Sequence, residues 1–464
     1  MKHLLQSAAI AALMAGASPA LSETPNDQLI VAFNMNNILT LDPAAITGGE
    51  AVQVLNNVYD SLVSLDPETR QLIPRLAESW ETSDDNRSVT FTLRDDAVFA
   101  SGNPVTAQDV VYSYSRNLAL NLAQSSGLKS RGFTAEAASE LFVAKDDRTF
   151  VLNLPQADDP KLILMYLTQA GVGSILDSAL VEENAGDDMG QTWLVNNSAG
   201  SSAFTLGQWR ANEYIILQRN ESYWEDVAQM GRVLMRHLPE SQTQRLGLEQ
   251  GDIDVGFTLA APDLKAMEQN EDITVETVAS AGFYYVAASM EDEHFGNQTV
   301  REALRYLIDY DGINAAIMPY FGVERQRPVN TSAFGALPDP GYTLDVDKAK
   351  ALLAEAGYPD GFDTTIRVIS TQQFLDSATA IQGTLAQAGI NAEIITGDGG
   401  QIYGAMRERK FDLLVGRGGG GQQPHPDSNL RALIYNPDNA TEAKLTNYQG
   451  WRTSYMDEEL NTRI

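Results

Sequence analysis

The sequence contains no cysteine. That excludes disulfides, thiolate metal sites and cysteine nucleophiles, and with them a lipid anchor on an N-terminal cysteine. Histidine is nearly as scarce, with four in 464 residues. No H-E-x-x-H zinc motif and no G-x-S-x-G nucleophile elbow occurs. Basic residues are outnumbered, 32 against 62 acidic ones, for a formal net charge of −30. A surface of that sign repels nucleic acid and anionic lipid. It serves solubility, and it attracts cationic solutes. Beyond the first twenty or so residues no apolar run approaches the length of a membrane-spanning helix.

What is present is an ordinary globular composition, 43% hydrophobic and 20% charged, at a length suited to two or three domains. The first residues read as a secretory leader. Lys2 supplies the positive end, Leu4 to Ala17 the apolar stretch, Pro19 the break and Ala20-Leu21-Ser22 a small-x-small cleavage site. The expected mature start is Glu23. An exported chain without a lipid anchor is expected in the periplasm, with no direct membrane insertion.

Strand and helix patterns alternate along the rest of the chain. Leu29 to Phe33 reads as a strand followed by the polar turn Asn34 to Asn37. Val89, Phe91 and Leu93 alternate, and Phe142 to Leu154 turns at Asp146-Asp147, as in antiparallel hairpins. Thr299 with Glu302, and Ser241 with Gln244, have capping-box spacing. Asp345 is expected to cap a helix stopped by Gly357. Thr364 to Val415 reads as βαβαβ, which requires a parallel sheet with right-handed crossovers.

Ligands of such sheets sit at the carboxyl ends of the strands. The loop after the last strand, Gly416 to Asp427, is therefore the first candidate site, and the turn containing Asn36 the second. In the loop, backbone N–H groups around Gly419 are suited to an anion. Arg417 is suited to a carboxylate, and Gln422, Gln423, His425 and Asp427 supply polar contacts. The bland reading of the same loop is flexibility, a surface ion pair for Arg417 and a turn role for His425. Phe283, Tyr284 and Tyr285 alternate on a strand, so one face is core and the other is available to a ligand. Arg327, with Arg325 and Asn330, follows the Gly322 turn and is a further candidate, with surface placement as the alternative.

Several ordered stretches carry a family resemblance. They are Asn56-Asn57-Val58-Tyr59-Asp60-Ser61-Leu62-Val63, Leu76 to Trp80, Thr90 to Arg94, Thr106 to Ser113, Gly200 to Phe204, Arg219-Asn220 with Tyr223-Trp224, Leu248 to Asp254, Val300 to Asp311 and Lys348 to Phe362. Together they resemble the family-5 extracellular solute-binding proteins of ABC importers, the peptide, dipeptide, oligopeptide and nickel group. The resemblance implies an α/β, two-lobed periplasmic binding protein fold of type II, cluster C. Residues 1–22 would be the leader, 23–50 and 185–278 lobe I, 51–180 an inserted small subdomain, 279–440 lobe II with hinge strands near 278–287, and 441–464 the start of a return segment. Relatives continue past a segment like Tyr455 to Leu460, so the resemblance implies a truncated C-terminal end. Peptide-binding relatives carry an acid in the glycine-rich loop. Gly418 to Gln423 has none, and nearby Asp427 matches a later family motif. Tyr59, Trp80, Tyr112 and Trp224 are expected as core packing.

The implied function is capture of a short peptide or peptide-like solute and its delivery to a membrane permease and ATPase complex. The protein is then a monomer, without cofactor, nucleic acid or catalytic step. Nickel chelates, opines and oligosaccharides are alternative solutes. A periplasmic hydrolase and a sensing or chaperone module are alternative functions.

Overall fold

The computed structural model describes residues 26–36, 38–69, 71–257, 259–278, 282–331, 333, 335–418 and 426–464. The expected leader lies outside them. No helix among the described residues is long and apolar enough to cross a membrane. The chain divides into two compact units, one of Met1–Asp60, Arg94–Ser126 and Ser174–Leu259, the other of Ser61–Leu93, Gly127–Gly173 and Ala260–Ile464.

In the first unit a five-stranded sheet runs Val255–Gly256, Gln28–Phe33, Arg232–His237, Tyr214–Arg219, Phe204–Arg210. The Gln28–Phe33 strand pairs in parallel on both sides. Its apolar run Leu29 to Phe33 suits a strand with neighbours on both edges. The helix Ala107–Leu120 begins at Thr106, whose N–H and hydroxyl both donate to the Asp109 carboxylate, at 2.9 and 2.7 Å. That capping contact accounts for the Thr106 to Asp109 spacing. Asp42 and Arg116 form a bidentate pair at 2.7 and 2.8 Å, and both side chains are almost wholly buried.

In the second unit, Ala77–Thr82, Ser88–Leu93, Thr149–Asn153 and Phe142–Ala144 form an antiparallel sheet in that order. Val89, Phe91 and Leu93 are buried, as their alternation requires. A second sheet is ordered Phe283–Ala288, Leu413–Gly418, Asp363–Ile369, Asn391–Gly397. The last three strands are parallel and the first is antiparallel. With the helices Gln372–Gln387 and Gly399–Arg407 between them, these strands are the βαβαβ unit read from the sequence. One face packs against Phe374, Ala378, Ile381 and Leu385, the other against Ile402 and Met406.

Two helix starts differ from expectation. The helix Gln298–Arg305 is capped by Asn297, which accepts the Thr299 N–H at 2.9 Å, so Thr299 lies inside the helix. Asn caps as well as Thr does, and it comes first in the chain. The helix Ser241–Gln250 starts after Glu240, and Gln244 turns inward to donate to the Leu238 carbonyl at 2.6 Å. Asp345 caps Val346–Glu355 as expected, accepting from Lys348 N.

Candidate functional site

The carboxyl end of the Leu413–Gly418 strand gathers part of the candidate set. Leu413, Leu414 and Val415 are buried, and the chain surfaces at Arg417. The antiparallel register sets Phe283 opposite Gly418, Tyr284 opposite Arg417 and Tyr285 opposite Gly416. Opposite residues share a face of the sheet. The Arg417 guanidinium accordingly lies 5.5 Å from the Tyr284 ring centre, within cation–π range. Tyr284 packs in turn on Phe374 at 5.2 Å. Tyr285 points to the other face, where its hydroxyl meets the Met406 sulfur at 4.0 Å. Both sides of this strand are thus packed within the unit.

Tyr403, on the helix Gly399–Arg407, was not anticipated from the sequence. Its hydroxyl accepts the Arg417 N–H at 2.9 Å and donates to the Arg417 carbonyl at 3.2 Å. Gly416 makes room for it: a Cβ there would lie 3.1 Å from the Tyr403 ring and 2.8 Å from Leu414. The one signal available was a tyrosine on the short helix preceding a glycine-rich strand end. Burial pushes both the Tyr403 and Tyr285 phenols above their ordinary pKa, so each is a protonated donor at neutral pH. The strand end therefore offers the Arg417 guanidinium on an aromatic face, a group suited to a carboxylate, with its backbone held by Tyr403.

The other candidates are dispersed. Gly419, Gln422, Gln423 and His425 lie outside the described residues. Asp427 accepts from Arg131 at 2.8 Å and from Arg431 at 3.1 Å. Arg327 donates to the Pro338 carbonyl at 2.6 Å. Arg325 ties its own loop through Val329, Leu337 and Asp339, and Asn330 N donates to the buried Asn429. Asn36 is exposed in the first unit, its N–H donating to Asn34 at 2.9 Å.

Residues 71–441 match the model of bacterial extracellular solute-binding proteins, family 5 (middle region). The chain belongs to this family. Among curated relatives, the probable D,D-dipeptide-binding periplasmic protein DdpA of Escherichia coli is 29% identical over 70% of this chain and 62% of its own length. The chain thus spans under two thirds of that relative. The dipeptide-binding protein of Escherichia coli is 27% identical over 85% of this chain and 75% of its own. Among solved structures, the periplasmic binding protein DppA of Helicobacter pylori in complex with the peptide STSA superposes with a TM-score of 0.76 at 25% identity. It covers 94% of this chain and 85% of that one. The family-5 match bears out the resemblance, and this superposition bears out the type II binding-protein fold expected from it.

Proposed function

We propose that this family-5 protein is the periplasmic solute-binding component of an ABC importer and takes up a short peptide or peptide-like solute by its carboxylate. Family membership supports the class, and the peptide-binding names of its relatives support the solute. The observation that carries the carboxylate is Arg417, held by Tyr403 at the strand end where such sheets take their ligands. The protein acts as a monomer and binds without a covalent step. The closed, loaded form docks on a permease, its closure driven by the tighter binding of solute to that form. The leader directs export, with cleavage after Ser22.

Native mass spectrometry of protein purified from the periplasmic fraction tests this reading. A retained peptide mass and an N-terminus at Glu23 are expected. A sugar or metal chelate in its place, or turnover of the released solute on incubation, sinks it. Arg417→Ala is expected to weaken solute binding by about 1.5–3 kcal/mol, roughly ten- to 150-fold in Kd, measured by calorimetry. Unchanged affinity removes Arg417 from the site.

A further inference from the structure

The sheet that carries Arg417 at one end has an open groove at the other. Its volume is about 560 Å³, within the range of small-molecule sites. It is lined from the amino ends of the strands Asp363–Ile369 and Asn391–Gly397 and from the second half of the helix Gln372–Gln387. Thr364 and Ala392, opposite each other in the parallel register, line it from the sheet. Gln382 and Gly383 line it from the helix, and the exposed acids Asp363 and Glu393 stand at its mouth. Thr364 precedes Ile366, whose register partner Leu413 precedes Arg417. Arg417 therefore lies roughly 20 Å away along the strands.

The amide donors of the groove are engaged inside the protein. Gln382 Nε2 donates to the Ala392 carbonyl at 2.8 Å, and Asn391 Nδ2 donates to Asp363 Oδ1 at 3.1 Å. Acceptors are left over. Gln382 Oε1, Asp363 Oδ2 and the Glu393 carboxylate have no hydrogen-bond or ion-pair partner among the described residues. Unpaired carboxylates are common in a chain with nearly two acids for every base, and by themselves they mark nothing. Thr364 is different. It is only 8% exposed, and its buried hydroxyl has no partner among the described residues. Ile366 and Val368, further along the strand, pack with Ala378, Ile381 and Leu385 of the helix. Alternation therefore turns Thr364 to the helix side, where the groove opens. Buried hydroxyls are rarely left unpaired, because the desolvation cost then goes uncompensated.

We propose that this groove binds a small organic cation rich in N–H donors, of the guanidinium or alkylammonium class, at a site separate from Arg417. Asp363 and Glu393 set the sign of the charge at its mouth. Gln382 Oε1 and the Thr364 hydroxyl accept the N–H groups. The site does not depend on the peptide-like solute proposed above.

Calorimetry with agmatine on the full chain tests it. Agmatine carries a guanidinium and an ammonium but no carboxylate, so it offers nothing to Arg417. Binding at millimolar concentration or below is expected, and tetramethylammonium, a cation without N–H donors, should not bind. Gly383→Leu fills the groove, since a Cβ at Gly383 meets nothing within 4 Å. Leucine is also the better helix former. This variant should keep or raise the melting midpoint and weaken agmatine binding at least about tenfold. Thr364→Val removes the unpaired hydroxyl at nearly constant volume. It should raise the midpoint and weaken agmatine by about threefold or more. No binding of agmatine, equal binding of tetramethylammonium, or full affinity in Gly383→Leu overturns the site. Should Gly383→Leu melt early, Thr364→Val decides: weakened agmatine binding sustains the site, and unchanged affinity overturns it.

Discussion

Asp42→Ala is expected to destabilise the first unit by about 3–5 kcal/mol. The Asp42 and Arg116 side chains are 1% and 2% exposed and meet through two parallel bonds. Arg116 Nε also donates to the Met189 carbonyl at 2.7 Å, and Asp42 accepts the Ala44 N–H at 3.0 Å. Truncating the aspartate leaves a guanidinium inside the protein with one neutral acceptor and no counter-charge. The cost is that of the stranded charge more than of the lost attraction. Asp42→Leu combined with Arg116→Met should therefore cost less than Asp42→Ala alone, since both charges are then gone. Urea denaturation followed by circular dichroism measures both variants. A double variant less stable than the single one would show that the pair itself, and not the stranded charge, sets the cost.

Trp451→Ala should cost the second unit a comparable amount, about 3–5 kcal/mol. The indole is 3% exposed. Its N–H donates to the Ala440 carbonyl at 3.0 Å, and the Arg409 guanidinium lies on its ring at 4.0 Å. Arg409 is itself held by Glu291 and by the carbonyl and side chain of Asn439. Loss of the ring leaves a void under a nearly buried charge, so transfer and cavity terms add to a lost cation–π contact. Trp451→Phe keeps most of the volume and should cost about half as much. Far-ultraviolet circular dichroism is the appropriate probe, because the substitution removes a fluorophore. A loss below about 1 kcal/mol for the alanine variant would mean that the segment relaxes into the space.

The βαβαβ unit was legible because its signals are local. Leu413 to Val415 is an uninterrupted apolar run because the strand is covered on both faces, and Gly389 closes the long helix with a positive φ of 84°. The site was legible only in part. Arg417 follows from its place at a strand end, but its partner Tyr403 depends on the absence of a Cβ at Gly416, which no periodicity records. The role of Asp427 was hidden more completely, since Arg131 is 296 residues away in sequence. Aromatic packing shows a similar limit. Tyr112 was expected in the core, yet Tyr114, 200° further around the same helix, is the fully buried one, and Tyr112 is only half-buried. Trp224 is likewise half-buried, its ring under Arg94 at 4.0 Å and its N–H on Asp60 at 3.0 Å. A motif that marks a family thus marks polar anchoring as readily as core.

The bond between Arg131 and Asp427 also sets a clock. The second unit takes Ser61–Leu93 and Gly127–Gly173 from early in the chain and the rest from Ala260 onward. At a synthesis rate of about 5–20 residues per second, the 296 residues separating the two ion-pair partners take roughly 15–60 s to appear. Throughout that interval the early segments have no sheet of their own unit's later part to join. The antiparallel sheet of this unit, built wholly from the early segments, can form within that interval, but the unit itself closes only once its last stretch has been made.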